Sequence, residues 1–182
     1  MVAAVVYGFS FNKTKGKTMR IFNCGRKYVE GHLVEILADE GLFVVSLNGF
    51  CVGEGRVVEN EVSPISQDKG VILYFDDASP DDIGKPGIVK IFDRKMALSV
   101  FEAVEAAFKA GKERLLVHCG AGISRSAAIS AVLNDFVNVV LSDNKADRAY
   151  NAAHGFEFPP VPNPHVMSVM RRVLAEEILP QK

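Results

Sequence analysis

One stretch constrains this chain more than any other. Leu115-Leu116-Val117-His118-Cys119 is an apolar run ending at a cysteine, and Gly120-Ala121-Gly122-Ile123-Ser124 is a small-residue loop after it. Arg125 and Ser126 close the loop and open a segment with helical apolar periodicity. The pattern predicts a buried strand, a tight loop and a helix. Glycines at 120 and 122 relieve side-chain crowding, so several backbone N–H groups can converge on one point at a helix N-terminus. Such a point favours an anion. Arg125 adds a planar fork that matches two oxygens of a phosphate. A cysteine in the same ring of donors has its thiolate stabilised. Nucleophile and oxyanion cradle are thus centred on one place, which is the arrangement phosphoryl transfer needs.

The nonapeptide HCGAGISRS resembles the signature loop of the cysteine-dependent protein tyrosine phosphatases, and its AGISRS part is most similar to the dual-specificity branch. The resemblance implies roles for individual residues. Cys119 is the nucleophile, and Arg125 with Gly120, Ala121, Gly122, Ile123 and Ser124 holds the substrate phosphate. Ser126 hydrogen-bonds the sulfur, and His118 orients the loop and tunes the thiolate. No metal or other cofactor is implied, because loop and arginine supply the positive field. The loop carries no lysine, unlike lipid-directed relatives, and the chain is shorter than the strictly tyrosine-specific domain. A phosphorylated protein, on phosphotyrosine and on phosphoserine or phosphothreonine, is therefore the expected substrate. Other readings are a phosphatase of a small metabolite or nucleotide, a phosphate-binding module without turnover, and sulfur or arsenate chemistry on a similar loop.

Such a reaction needs a proton donor for the leaving group. Val71-Ile72-Leu73-Tyr74-Phe75 predicts a strand that runs into Asp76-Asp77-Ala78-Ser79-Pro80-Asp81-Asp82. Asp81 and Asp82 read as a solvated turn with helix caps. In the dual-specificity family the donor aspartate follows the strand before the signature strand, a place that Asp77 matches best, with Asp76 as the alternative. The segment from there to Cys119 is longer than in compact members of the family and contains Gly84, Pro86 and Gly87. Pro162-Asn163-Pro164 resembles the family's proline–asparagine element, in which the asparagine buttresses the signature loop. Read from the residues alone, Asn163 is equally an N-cap for the last helix.

Length and composition set the frame. The chain has 182 residues, 48% of them hydrophobic, and a formal net charge of -1. That is enough for one domain with an ample core, and it gives no reason to expect nucleic acid or an anionic membrane as partner. Residues 19–182 are read as a single phosphatase-like catalytic domain and 1–18 as an N-terminal extension or first strand. Residues 2–10 are strand-like and could pair with 19–23 as a hairpin across a basic loop. Gly16-Lys17-Thr18 is no Walker A motif, since Phe11 stands where its first glycine belongs. The three cysteines, Cys24, Cys51 and Cys119, show neither a disulfide framework nor zinc spacing. Cys24 or Cys51 could guard Cys119 through a reversible disulfide, but two ordinary half-buried thiols are favoured. No stretch is long and apolar enough to span a bilayer, and the positive charges follow the apolar N-terminus instead of preceding it. A cytoplasmic location is expected.

The remaining elements alternate. Helices are predicted over Glu30–Glu40, with Leu33, Val34, Ile36 and Leu37 inward, and over Arg94–Ala110 behind an Asp93 cap. Others run from Ser126 to Leu141, more weakly from Lys145 to His154, and from Pro164 to near Leu179. Leu42–Leu47 is a buried strand, and residues 48–70 are a long surface connection. This order implies an α/β fold, a central, mainly parallel sheet of about five strands flanked by helices. It is the architecture that the dual-specificity resemblance also implies, with Cys119 at the carboxyl ends of the strands.

Overall fold

The Leu115–Cys119 run sits in the middle of a parallel sheet, with two strands on either side of it. The computed structural model describes residues 17–53, 56–59, 63–141, 151–152 and 160–179. The sheet order is β5 (Gly70–Tyr74), β2 (Leu42–Asn48), β6 (Arg114–Cys119), β1 (Arg20–Gly25) and β7 (Asn151–Ala152). Each neighbouring pair is parallel. Four of these are full strands, and β7 is a two-residue edge strand on β1. The class is the predicted one, α/β with helices on both faces.

The central strand is buried from Leu115 to Cys119 because both of its faces are covered, as parallel strands require. Side chains alternate along it. Leu115, Val117 and Cys119 enter the larger core, which α3 (Arg94–Lys109), α4 (Arg125–Phe136) and α5 (Pro164–Val173) complete. Leu116 enters a smaller core with Cys24, Val29, Ile36, Leu42, Val44 and Ile65. The apolar stripes of the later helices are buried: Ala97, Val100, Phe101, Val104 and Phe108 on α3, and Val166, Met170, Val173, Leu174 and Ile178 at the C-terminal end. Asp93 caps α3 through Met96 N–H at 2.9 Å. Helices α4 and α5 each continue as a wider turn, Val137–Leu141 and Leu174–Ile178. At the start of β5, Gly70 lies so close to β2 that a Cβ would stand 1.9 Å from Val44 O, so no side chain fits there.

Three sequence expectations are corrected. The single helix over Glu30–Glu40 is instead α1 (Arg26–Gly31) and α2 (Leu33–Ala38), broken at His32. The chain enters α1 straight from β1, held by Arg26 N–H on Gly120 O at 2.9 Å, and Gly31 ends that helix where glycine is poorly helical. Val29 and Ile36 are the buried residues, while Val34 and Leu37 are exposed. Within residues 48–70 the chain forms an antiparallel pair, β3 (Phe50–Gly53) with β4 (Arg56–Glu59), instead of an open connection. Asn151 and Ala152 are a strand where the weak helix Lys145–His154 was expected, and the rest of that span lies outside the described residues. So does the expected strand over 2–10 and its hairpin. Among the described residues, no helix is long and apolar enough to cross a membrane.

Candidate active site

The carboxyl ends of β1, β2, β5 and β6 meet at one edge of the sheet, and the sequence-predicted residues gather there. Cys119 is the last residue of β6 and is buried. Its Sγ receives the Gly122 N–H at 3.2 Å and lies 3.2 Å from Ser126 Oγ. Ser126 is itself fully buried on the first turn of α4, so the sulfur sits at that helix's N-terminus.

The loop keeps this shape because the end of β1 is its mould. Gly122 has φ 80°, and a Cβ there would stand 2.4 Å from Gly25 N. A Cβ on Gly25 would stand 2.9 Å from Ala121 O. Asn23 Nδ2 donates to Gly122 O at 3.1 Å, and Arg26 N–H donates to Gly120 O. These supports, Asn23, Gly25 and Arg26 N–H, were missed in the sequence. The available signal was an Asn-Cys-Gly strand end with a glycine just before a helix.

Arg125 reaches back across the site. Its Nη1 donates to Phe75 O at 2.9 Å, its guanidinium carbon is 5.8 Å from the Phe75 ring centre, and its Nε is buried with no hydrogen-bond partner among the described residues. One edge of the fork is thereby fixed on the strand end that leads to the aspartates.

Those aspartates divide cleanly. Asp76 is buried, and its carboxylate accepts Phe50 N–H at 3.1 Å, Val89 N–H at 2.8 Å and Lys90 N–H at 3.0 Å. It stitches the long segment before α3 to the sheet. Asp77 is exposed, and its Oδ1 accepts Ser124 Oγ at 2.8 Å and Asn163 Nδ2 at 2.7 Å. Asn163 Oδ1 caps α5 through Val166 N–H at 3.0 Å, so the cap is present, while the side-chain amide goes to Asp77 and not to the signature loop. Backbone bonds from Val161 N–H to Ile123 O and from Asn163 N–H to Ser124 O press the same segment against the loop. Asp81 and Asp82 form the expected turn, a single 3-10 turn over Pro80–Asp82 in which Asp82 accepts the Ser79 N–H at 2.8 Å.

His118 points to the other face, beside Cys24 of β1 and Ser46 of β2 in register. It is buried, and neither ring nitrogen has a hydrogen-bond partner among the described residues. Burial pushes its pKa down to about 4, with Arg26 and Arg125 adding to the fall and Glu30 opposing it. The ring is therefore neutral at neutral pH, which suits a packing and positioning part. Burial likewise pushes the Cys24 thiol up to about 12, with the Cys119 charge adding to the rise. Cys24 and Cys119 pack into different cores on opposite faces. A disulfide between them has no common face, and Cys24 stands as an ordinary buried thiol. The Cys51 side chain lies outside the described residues.

The arrangement offers a sulfur with two hydrogen-bond partners, a loop of backbone N–H groups, a guanidinium and a carboxylic acid, all at one sheet edge. No family model, no curated protein and no solved structure matches the chain.

Proposed function

We propose that the chain is a cysteine-dependent phosphomonoester hydrolase of the dual-specificity phosphatase type, acting on phosphorylated proteins through a phosphocysteine intermediate. The observation that carries this reading is the hydrogen bond from Ser124 Oγ to Asp77 Oδ1, which puts a carboxylate against the loop that holds Cys119.

In the first step the Cys119 thiolate attacks phosphorus, an S–P bond forms, and the P–O bond to the leaving group breaks. Arg125 and the amides of residues 120–125 hold the equatorial oxygens. Asp77 gives its proton to the departing phenol or alcohol. In the second step Asp77, now a carboxylate, takes a proton from water as the water attacks the phosphocysteine, and Cys119 leaves as thiolate. Ser126 donates to the sulfur and eases that departure. The charge that builds on phosphate oxygen is met by protein donors, so this chemistry draws on no metal. A thiolate nucleophile is preserved in a reducing compartment, which favours the cytoplasm as the place of work. Gly120-Ala121-Gly122-Ile123-Ser124 contains no lysine, which favours a phosphoprotein over a phosphoinositide.

The test is hydrolysis of an aryl phosphate in EDTA with reductant. Turnover should be blocked by vanadate, abolished in Cys119→Ser and reduced roughly 100-fold or more in Asp77→Asn, as befits a general acid. A wild type without turnover, binding a phosphopeptide in a way that Arg125→Ala weakens, identifies a phosphate-binding module instead.

A further inference from the structure

The geometry points to Ser124 as a positioning residue that ties the acid Asp77 to the phosphate loop. This rests on the reading above and adds to it. The resemblance assigns Ser124 only a backbone place in the loop, yet its side chain turns outward and donates to Asp77 Oδ1 at 2.8 Å. The second donor on that oxygen, Asn163 Nδ2 at 2.7 Å, has no freedom to turn over, because Asn163 Oδ1 is held by Val166 N–H.

Two donors on Oδ1 have a chemical consequence. A protonated carboxyl carries its hydrogen on one oxygen, and an oxygen already accepting two hydrogen bonds is the poorer place for it. The transferable proton therefore sits on Asp77 Oδ2. It passes from there to the leaving oxygen as the P–O bond breaks, and Oδ2 takes it back from water in the second step. Ser124 directly precedes Arg125, so the residue that grips the phosphate and the residue that aims the acid are neighbours on one rigid turn. Asp77 is otherwise exposed, and its neighbour Asp76 is spent on backbone donors. Without Ser124 the acid keeps one of its two guides.

The experiment is a leaving-group series on the full chain, comparing wild type, Ser124→Ala, Ser124→Cys and Ser124→Thr in the Asp77 and Asp77→Asn backgrounds. With phenyl phosphate, whose leaving group needs the proton, kcat should fall about tenfold in Ser124→Ala and Ser124→Cys. With p-nitrophenyl phosphate the fall should stay under about threefold, and Ser124→Thr should recover most of the loss on both substrates. In the Asp77→Asn background the Ser124→Ala loss should shrink to less than about twofold, since the two residues act as a unit. Inhibition by inorganic phosphate reports the loop itself and should move less than about threefold. An equal loss on both substrates, or the same loss persisting in Asp77→Asn, overturns the tie and leaves Ser124 a loop residue only. A wild type with no turnover on either substrate is a different failure, that of the phosphatase reading. Ser124→Cys keeps the size of serine while donating poorly, so the inference stays testable if the alanine variant folds badly.

Discussion

Ser126 holds its hydroxyl oxygen 3.2 Å from the Cys119 sulfur while both residues are buried, one ending β6 and the other on the first turn of α4. The sulfur has a second partner, since Gly122 N–H approaches it at the same distance of 3.2 Å. A sulfur leaving phosphorus accumulates negative charge and gains from a donor so placed. Removing that donor in Ser126→Ala should slow the second step roughly 10- to 100-fold, the usual range for a hydrogen bond to a charged group. Hydrolysis of the phosphocysteine then limits turnover, and rapid mixing should show a burst of phenol equal to the enzyme present. A single-phase trace at undiminished kcat would refute the part given to Ser126.

Gly122 is the residue that lets the loop lie on β1. Its φ of 80° is costly for any side chain, and a Cβ would meet Gly25 N at 2.4 Å and Cys24 C at 2.5 Å, all backbone. Gly122→Ala should therefore lose at least about 2 kcal/mol of stability in urea unfolding and most of its turnover. Gly31→Ala is the control, because a Cβ there meets nothing within 4 Å. It should fold as well as wild type, and equal stability of the two variants would count against the mould.

The sequence exposes these features to different degrees, for reasons visible in the residues. Long amphipathic runs such as Arg94–Lys109 have a stripe wide enough to be read without a partner, and Cys119 to Ser126 is a contiguous motif whose residue types announce the loop, although its shape is moulded on the end of β1. The start of α1 at Arg26 is not local: it follows from Arg26 being pinned to Gly120 from ninety-odd residues away. The β3–β4 pair lacked a long alternating run to announce it, since each strand is only 4 residues. Asp76 and Asp77 are chemically identical in sequence. Only the strand end separates them, turning one carboxylate to the amides of Phe50, Val89 and Lys90 and the other to Ser124 and Asn163.

That separation predicts opposite phenotypes for neighbouring substitutions. Asp76→Ala strands three backbone N–H groups and should cost on the order of 3 kcal/mol. Asp77→Asn sits on an exposed loop and keeps an oxygen for Ser124 and Asn163, so it should cost less than about 1 kcal/mol while losing activity. Thermal melts and aryl phosphate turnover on both variants check this together. A stable, inactive Asp76→Ala beside a fully active Asp77→Asn would exchange the two assignments.

His118 gives the fold a measurable pH dependence. Its pKa is about 4 when folded against 6.5 for an ordinary histidine, mainly because its ring is buried, with Arg26 and Arg125 nearby. Between these values the unfolded chain takes up a proton that the folded chain refuses, so stability falls as pH drops from 6.5 towards 4. Below the folded value both states are charged and this contribution levels off. The full span corresponds to roughly 3 kcal/mol as an upper order of magnitude. Carboxylates also titrate in the lower part of that window, so the informative quantity is a difference between two proteins. Urea unfolding of wild type and His118→Gln at about pH 7 and about pH 5 should give the steeper loss in wild type, because glutamine binds no proton. Parallel losses in the two would mean that the acid sensitivity arises elsewhere, and that the neutral buried imidazole is not what limits the fold at low pH.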